Sequence, residues 1–255
     1  MNNNYLNRKH VNTFEIYCHS DKGDRENQED YYCVSYGKST MLATICDGIG
    51  GCKGGEIASH TAIQYLHHKF ECIDATDVSF YTDLIDELDT QVFFLKDKYN
   101  RRLRAGTTIA SVLINGNRLD WFSVGDSRVY IIRESEMIQV TRDHNFKELL
   151  IEYLKDGRIT KEQFYGRSYE YAKLISYIGM GGIQLYNISK NSLQLRKGDL
   201  ILIMSDGLYK SVDMEQILPI SRYNTSLIMK KLCEMSYAEK TKHRDNTTFI
   251  LIRYI

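Results

Sequence analysis

The chain has 255 residues, 43% of them hydrophobic, which is enough for a sizeable core in one large domain or two small ones. Thirty-three basic residues cancel 33 acidic ones, so the chain lacks the electrostatic footprint of a protein that holds nucleic acid or an anionic membrane nonspecifically. No run of roughly 18 apolar residues occurs and Met1 to His10 is Asn-rich, which argues against a spanning helix or signal segment and makes a cytoplasmic protein the expectation.

The six cysteines, at 18, 33, 46, 52, 72 and 233, form no CxxC pair and several lie in apolar runs, so they read as small core residues of a reducing compartment. The only proline is Pro219 and no repeat or low-complexity stretch divides the chain, so residues 1–255 read as one domain.

In chain order, Thr13 to Cys18, Tyr31 to Tyr36 and the more fully buried Met41 to Cys46 read as strands, with Gly23 and Asp24 in a loop. Ala58, Ala62, Tyr65 and Leu66 then fall on one helical face, and Leu84, Leu88, Val92, Leu95 and Tyr99 predict a second, longer helix. Thr107 to Ile114, Arg118 to Val124 and Val129 to Ile132 read as an antiparallel meander with turns at Asn115-Gly116-Asn117 and Gly125-Asp126-Ser127. Phe146 to Leu154 reads as a helix stopped by Asp156-Gly157, and the polar, Tyr-rich stretch from there to Gly182 reads as a surface flap. Leu200 to Met204 and Thr247 to Ile252 are strands on either side of a helix carrying Ile228, Leu232 and Met235. Runs of strands with helices inserted in pairs make an α+β layout.

Asp47, Asp126, Asp206 and Asp245 each sit at the mouth of an apolar run, which gathers negative charge at one rim of a sheet. Such carboxylates share protons or are neutralised by metal, and an all-oxygen set favours Mg²⁺ or Mn²⁺ over Zn²⁺. Taken singly, Asp47, Asp126 and Asp206 are also ordinary turn residues beside glycine; the case rests on their joint occurrence. Gly50-Gly51-Cys52-Lys53-Gly54-Gly55 lacks the ending of a P-loop and reads as the entry to a helix.

Six segments carry a resemblance. Arg25-Glu26-Asn27-Gln28-Glu29-Asp30, Asp47-Gly48-Ile49-Gly50-Gly51, Ala105-Gly106-Thr107-Thr108, Gly125-Asp126-Ser127-Arg128, Ser205-Asp206-Gly207 and Asp245-Asn246-Thr247-Thr248 resemble, in order, the signature motifs of the bacterial-type PPM (PP2C) metal-dependent serine/threonine protein phosphatases. The likeness runs from about Phe14 to Ile252, and Asp156 to Glu162 resembles the flap of bacterial members, placing a flap at about 145–182 in a core of about 14–252.

The resemblance implies a four-layer αββα sandwich, two central antiparallel sheets flanked by helices, with two Mg²⁺ or Mn²⁺ ions activating a water for in-line attack on phosphoserine or phosphothreonine. It implies that Asp47 bridges both metals, that Glu29 and the Gly48 carbonyl complete one, that Asp206 and Asp245 hold the other, and that Arg25 receives the phosphate. Asp126 matches the place of a third, weaker metal. Successive strand residues point to opposite faces, so Glu29 and Asp30 are not both expected to touch metal, and Asp30 is assigned to a metal-bound water. Ile49 stands where animal-type members carry a histidine acid, so no side-chain acid is assigned: a metal-bound water could serve, His243 is a weaker candidate, and His144 is assigned a structural role. The implied partners are phosphoproteins and a serine/threonine kinase, with no nucleic acid and no membrane. A PP2C-like binding module and a phosphatase of small phosphoesters are the alternatives; the complete carboxylate set argues against the first, and the flap bears on the second.

Overall fold

A computed structural model of the chain describes residues 9–11, 13–49, 54–73, 75–238 and 243–255, so the Gly50 to Lys53 part of the expected helix entry, Cys52 included, lies outside the described residues. The elements are β1 (Lys9–Val11), β2 (Phe14–Asp21), β3 (Asp30–Tyr36), β4 (Thr40–Asp47), α1 (Gly55–Cys72), α2 (Ser79–Phe93), β5 (Ile109–Asn115), β6 (Arg118–Val124), β7 (Arg128–Arg133), β8 (Glu136–Gln139), α3 (Phe146–Lys155), α4 (Lys161–Gly166), β9 (Asn187–Ile188), β10 (Leu193–Gln194), β11 (Leu200–Met204), α5 (Asp206–Ser211), α6 (Ile217–Ile220), α7 (Thr225–Ala238) and β12 (Thr247–Tyr254).

They form two antiparallel sheets, one ordered β1-β2-β12-β11-β7-β8 and the other β10-β6-β5-β4-β3 with β9 also on β6. Strand alternation divides the apolar residues among three layers of contact. Ala43, Ile45, Ala110 and Val112 of one sheet meet Val129, Ile131, Ile203 and Ile250 of the other between the sheets. On one outer face Leu42, Cys46, Ile109 and Leu113 pack under α1 and α2 through Ala58, Ala62, Leu66 and Leu88. On the other, Tyr130, Leu202, Met204 and Leu251 pack under α5 and α7 through Leu208, Ile228 and Leu232. This is the expected αββα sandwich, and its strands are apolar on both faces because both faces are covered.

Two local expectations change. The chain from β5 to β7 is no meander: β6 stays beside β5, but β7 crosses to the other sheet and pairs with β11 and β8. The crossing is made at Gly125, whose φ of +98° and contact with Thr108 (2.6 Å from an added Cβ) leave no room for a side chain. Helix α2 stops at Phe93, so Leu95 and Tyr99 lie beyond it. There the Asp97 carboxylate accepts from the amides of Tyr99 and Arg101 at 2.8 and 3.0 Å, a local arrangement that competes with helix continuation.

The flap segment is more ordered than its polarity suggests. Thr160 and Gln163 form a capping box that starts α4, and Ile178 is fully buried with its backbone paired to Thr107 at 2.9 and 3.0 Å. Asp89 of α2 accepts from the amides of Gly179, Gly181 and Gly182 at 2.6, 3.1 and 2.7 Å, anchoring the end of the segment. Of the described cysteines, Cys18, Cys46 and Cys233 are buried and none is in a disulfide.

Candidate metal centre and active-site cleft

The ends of the strands open into a cleft of about 970 Å³ lined by Arg25, Glu29, Asp47, Gly48, Asp126, Asp206 and Asp245 among others. Each acidic side chain is delivered by a different element. Asp47 is the last residue of β4, its carbonyl accepting from Thr108 N at 2.8 Å and Thr107 Oγ1 at 2.9 Å. Gly48 then turns under α1, its amide bonded to the Glu29 carbonyl at 3.0 Å; an added Cβ would stand 2.4 Å from the Gly55 carbonyl oxygen, so only glycine fits. Asp206 opens α5 directly after β11. Asp245 precedes β12, and Asp126 sits in the crossing between β6 and β7.

Asn246, which follows Asp245 in the sixth motif, ties the loops together. Its Nδ2 donates to the carbonyls of Lys22 and Asn27 at 2.8 and 3.0 Å, and its Oδ1 accepts from Glu29 N at 2.8 Å. That fixes the Arg25 to Glu29 loop against the start of β12.

Asp30 is the one assigned residue not brought to the cleft wall. It is 2% exposed, held by Ser205 Oγ at 2.7 Å, and its Oδ1 is buried without a hydrogen-bond donor. Burial above all, with the charge of Asp206 adding, pushes its carboxyl up to about 7. Asp47 is raised well above the carboxylate range by burial and then by Asp30, Asp206, Asp126 and Asp245; Asp206 is raised by burial despite Lys210. Asp126 is pushed up to about 7 by burial, then by Asp206 and Asp143. Glu29 is raised by burial and Glu56. The rim thus holds more negative charge than it can solvate.

As the side chains stand, no three carboxylate, imidazole or thiolate groups among the described residues converge as a ready coordination set. The chain's own cations pair with two of the carboxylates. Arg25 pairs with Asp245 at 2.9 Å, and Lys210 Nζ touches Asp206 Oδ2 and lies 3.8 Å from Asp245 Oδ2. The donor set still fits hard divalent cations: carboxylates and a backbone carbonyl with no His or Cys among the described lining residues, mutually raised pKa values, and an orphaned oxygen on Asp30 behind them.

Asp126 is bound into a second layer. Tyr209 donates its hydroxyl to Asp126 Oδ2 at 3.1 Å, and the Arg128 guanidinium lies 3.6 Å from the Tyr209 ring while forking onto Asp143. His144, also in this layer, accepts from Gly125 N at 3.1 Å and is held neutral by burial, its pKa down to about 4. His243 is exposed, and Ile49 lines the cleft.

Sequence reasoning passed over Lys210, Tyr209, Arg102, Arg104, Lys173 and Tyr177, of which all but Tyr209 line the cleft. For Lys210 and Tyr209 the available signal was their position on the first turns of a helix begun by Asp206.

The match to the family model for protein phosphatase 2C covers residues 19–244. The serine/threonine protein phosphatase PstP of Mycobacterium tuberculosis is 32% identical over 201 residues, which are 78% of this chain but 37% of that protein, so the chain spans little over a third of that relative's length. The catalytic domain of PstP in complex with two manganese ions superposes with a TM-score of 0.72 at 27% identity, covering 95% of this chain and 99% of that one. The Streptococcus agalactiae serine/threonine phosphatase, at 24% identity, shares the fold with a TM-score of 0.80 over 95% of this chain and all of its own. No helix among the described residues is long and apolar enough to cross a membrane.

Proposed function

The chain belongs to the protein phosphatase 2C family, and on that premise we propose that it is a metal-dependent protein phosphatase hydrolysing phosphoserine and phosphothreonine. The observation that carries this reading is that Glu29, Asp47, Asp126, Asp206 and Asp245, from separate elements, all line one cleft beside Arg25. Asp47 would be shared between two core ions, Glu29 and the Gly48 carbonyl would help hold one, and Asp206 and Asp245 would hold the other. Asp126 would hold a third, weaker ion with Asp206 shared, and Asp30 would stand behind the ligands as a hydrogen-bonding partner. When bound, Mg²⁺ or Mn²⁺ would supply charge neutralisation at phosphate and a water of lowered pKa.

The remaining work falls to the protein. Arg25, whose side chain is half exposed at the mouth, turns its guanidinium fork from Asp245 to the phosphate oxygens. Arg102, Arg104 and Lys173 place positive charge around the same cleft, where a phosphopeptide chain would pass. Arg102 is held for this by its Nε bond to the Phe93 carbonyl at 3.0 Å and its stacking on the Phe93 ring. Among the described residues no cysteine lines the cleft, so none of them offers a nucleophile for a phosphocysteine route. The substrates are proteins modified by a serine/threonine kinase, and the place of action is the cytoplasm.

Hydrolysis of a phosphothreonine peptide, a nucleotide monophosphate and an aryl phosphate in Mn²⁺, Mg²⁺ or EDTA tests the reading. Peptide and aryl phosphate turnover with metal, lost in EDTA and restored by metal, is expected. Full turnover after metal stripping overturns it, and preference for the nucleotide favours the small-phosphoester alternative.

A further inference from the structure

Lys210 occupies an unusual position for a lysine: its ammonium sits on the acidic rim itself. Its Nζ contacts Asp206 Oδ2 and stands 3.8 Å from Asp245 Oδ2, so one cation serves the two carboxylates assigned to one core ion. The placement is built by the fold. Asp206 and Lys210 are four residues apart on α5, whose turn is pinned by the fully buried Leu208 and by Gly207, where a Cβ would meet the Asn246 carbonyl oxygen at 2.0 Å. The lysine therefore cannot leave the neighbourhood, although its side chain is 49% exposed and free to swing its ammonium into water.

We propose that Lys210 is a tethered counter-ion that competes with divalent cations for Asp206 and Asp245, and so sets the metal concentration at which the site fills. The inference rests on the metal-site reading above. With the ammonium on Asp206 Oδ2 and 3.8 Å from Asp245 Oδ2, a divalent ion approaching the same two carboxylates meets a like charge at contact range. Only the fraction of molecules with Lys210 displaced can bind, and apparent affinity falls by that fraction. If the ammonium holds the carboxylates about nine-tenths of the time, the metal Kd is raised about tenfold. Arg25 does not duplicate this role, since it touches Asp245 and not Asp206.

Calorimetric Mn²⁺ binding to wild type, Lys210→Met and Lys210→Arg tests the proposal without reference to turnover. Lys210→Met should bind Mn²⁺ about tenfold more tightly, while Lys210→Arg, which keeps the charge, should stay near wild type. In EDTA, Lys210→Met should melt lower than wild type because Asp206 has lost its counter-ion, and its Mn²⁺-induced rise in melting temperature should be larger. Equal affinity in all three proteins, or weaker binding by Lys210→Met, overturns the proposal while leaving the metal site standing. Binding by Lys210→Met alone supports it in its strongest form. No Mn²⁺ bound by any of the three defeats the metal-site reading and this inference with it.

Discussion

Asp30 and Asp47 face each other across the first rung of the β3–β4 ladder, and only Asp47 reaches the cleft. Their side chains share one face of the sheet, so the fold holds two carboxylates together where Ser205 is Asp30's hydroxyl donor at 2.7 Å. Such a pair costs stability in the absence of cations and is expected to matter when cations arrive. Asp30→Asn keeps the acceptor for Ser205 and removes a charge. In EDTA near pH 8 it should be more stable than wild type by about 1–3 kcal/mol, yet turn over more slowly at saturating Mn²⁺. Urea unfolding with matched kinetics checks both signs; a destabilised Asp30→Asn would show that the carboxylate is compensated in the folded state.

The roles given to Asp206 and Arg25 separate in kinetics. Asp206→Asn removes a ligand charge, and since even outer partners of metal ligands are worth tenfold or more, kcat should fall by ~100-fold or more. Arg25→Ala removes a phosphate contact worth a charged hydrogen bond, so KM should rise ~10-fold or more with a smaller change in kcat. Near-normal kcat for Asp206→Asn at saturating Mn²⁺ would withdraw its ligand role.

Much of this site could be read before the fold was known, because a carboxylate closing an apolar run stands out against strand periodicity, as at Asp47 and Asp206. What could not be read has physical causes. β7 is apolar on both faces, with Val129 and Ile131 between the sheets and Tyr130 and Ile132 under the helices, so alternation gives no clue to which sheet it joins. Lys210 looks like any solvated helix lysine until Asp206 is known to begin the same helix. Asn246 ties loops separated by more than 200 residues, and its bonds to Lys22, Asn27 and Glu29 leave no periodic trace. Arg102 and Arg104 come from a stretch without period, and only the cleft gives them a role.

Those two arginines predict a dependence on substrate size. Arg104 lines the cleft, and Arg102 is fixed on Phe93 beside it. Reversing both charges, Arg102→Glu with Arg104→Glu, should raise KM for an acidic phosphopeptide ~10-fold at low salt and leave an aryl phosphate nearly unaffected. Raising the ionic strength should shrink the difference. Equal losses on both substrates would place the arginines in the chemistry rather than at the mouth.

A pH effect on stability follows from His67, buried in α1 with Nδ1 2.8 Å from Ser35 Oγ and its other nitrogen without a partner. Burial lowers its pKa to about 4. The unfolded chain binds the proton at higher pH than the folded one, so this residue's stabilisation is complete above the unfolded value and is lost as pH falls from about 6.5 toward 4. Acidification from pH 7.5 to 5 should cost about 2 kcal/mol through His67 alone. His67→Leu should lose correspondingly less over that interval in urea denaturation. Parallel losses in the two proteins would show that His67 is protonated without penalty in the fold.

Asp126 and Tyr209 carry the last prediction. Asp126 lies at the edge of the cluster, 7% exposed, with Tyr209 OH on one oxygen at 3.1 Å and Asp206 raising its pKa after burial. One carboxylate with few protein partners suits a weakly held ion whose shell is completed by water. Asp126→Ala should therefore lower kcat on a phosphopeptide while calorimetry still counts two bound ions. Tyr209 touches no assigned ligand of the two core ions but orients Asp126, with Arg128 stacked on its ring at 3.6 Å. Tyr209→Phe keeps the ring and that stacking while removing the donor, so it should reduce kcat ~10-fold without changing KM or the two-ion count. The conservative change separates orientation from packing, since a purely structural tyrosine would lose melting temperature rather than kcat. Loss of the core ions in Asp126→Ala would instead make Asp126 a support for the whole rim, and unchanged kcat would reduce it to the residue that turns the chain from one sheet to the other.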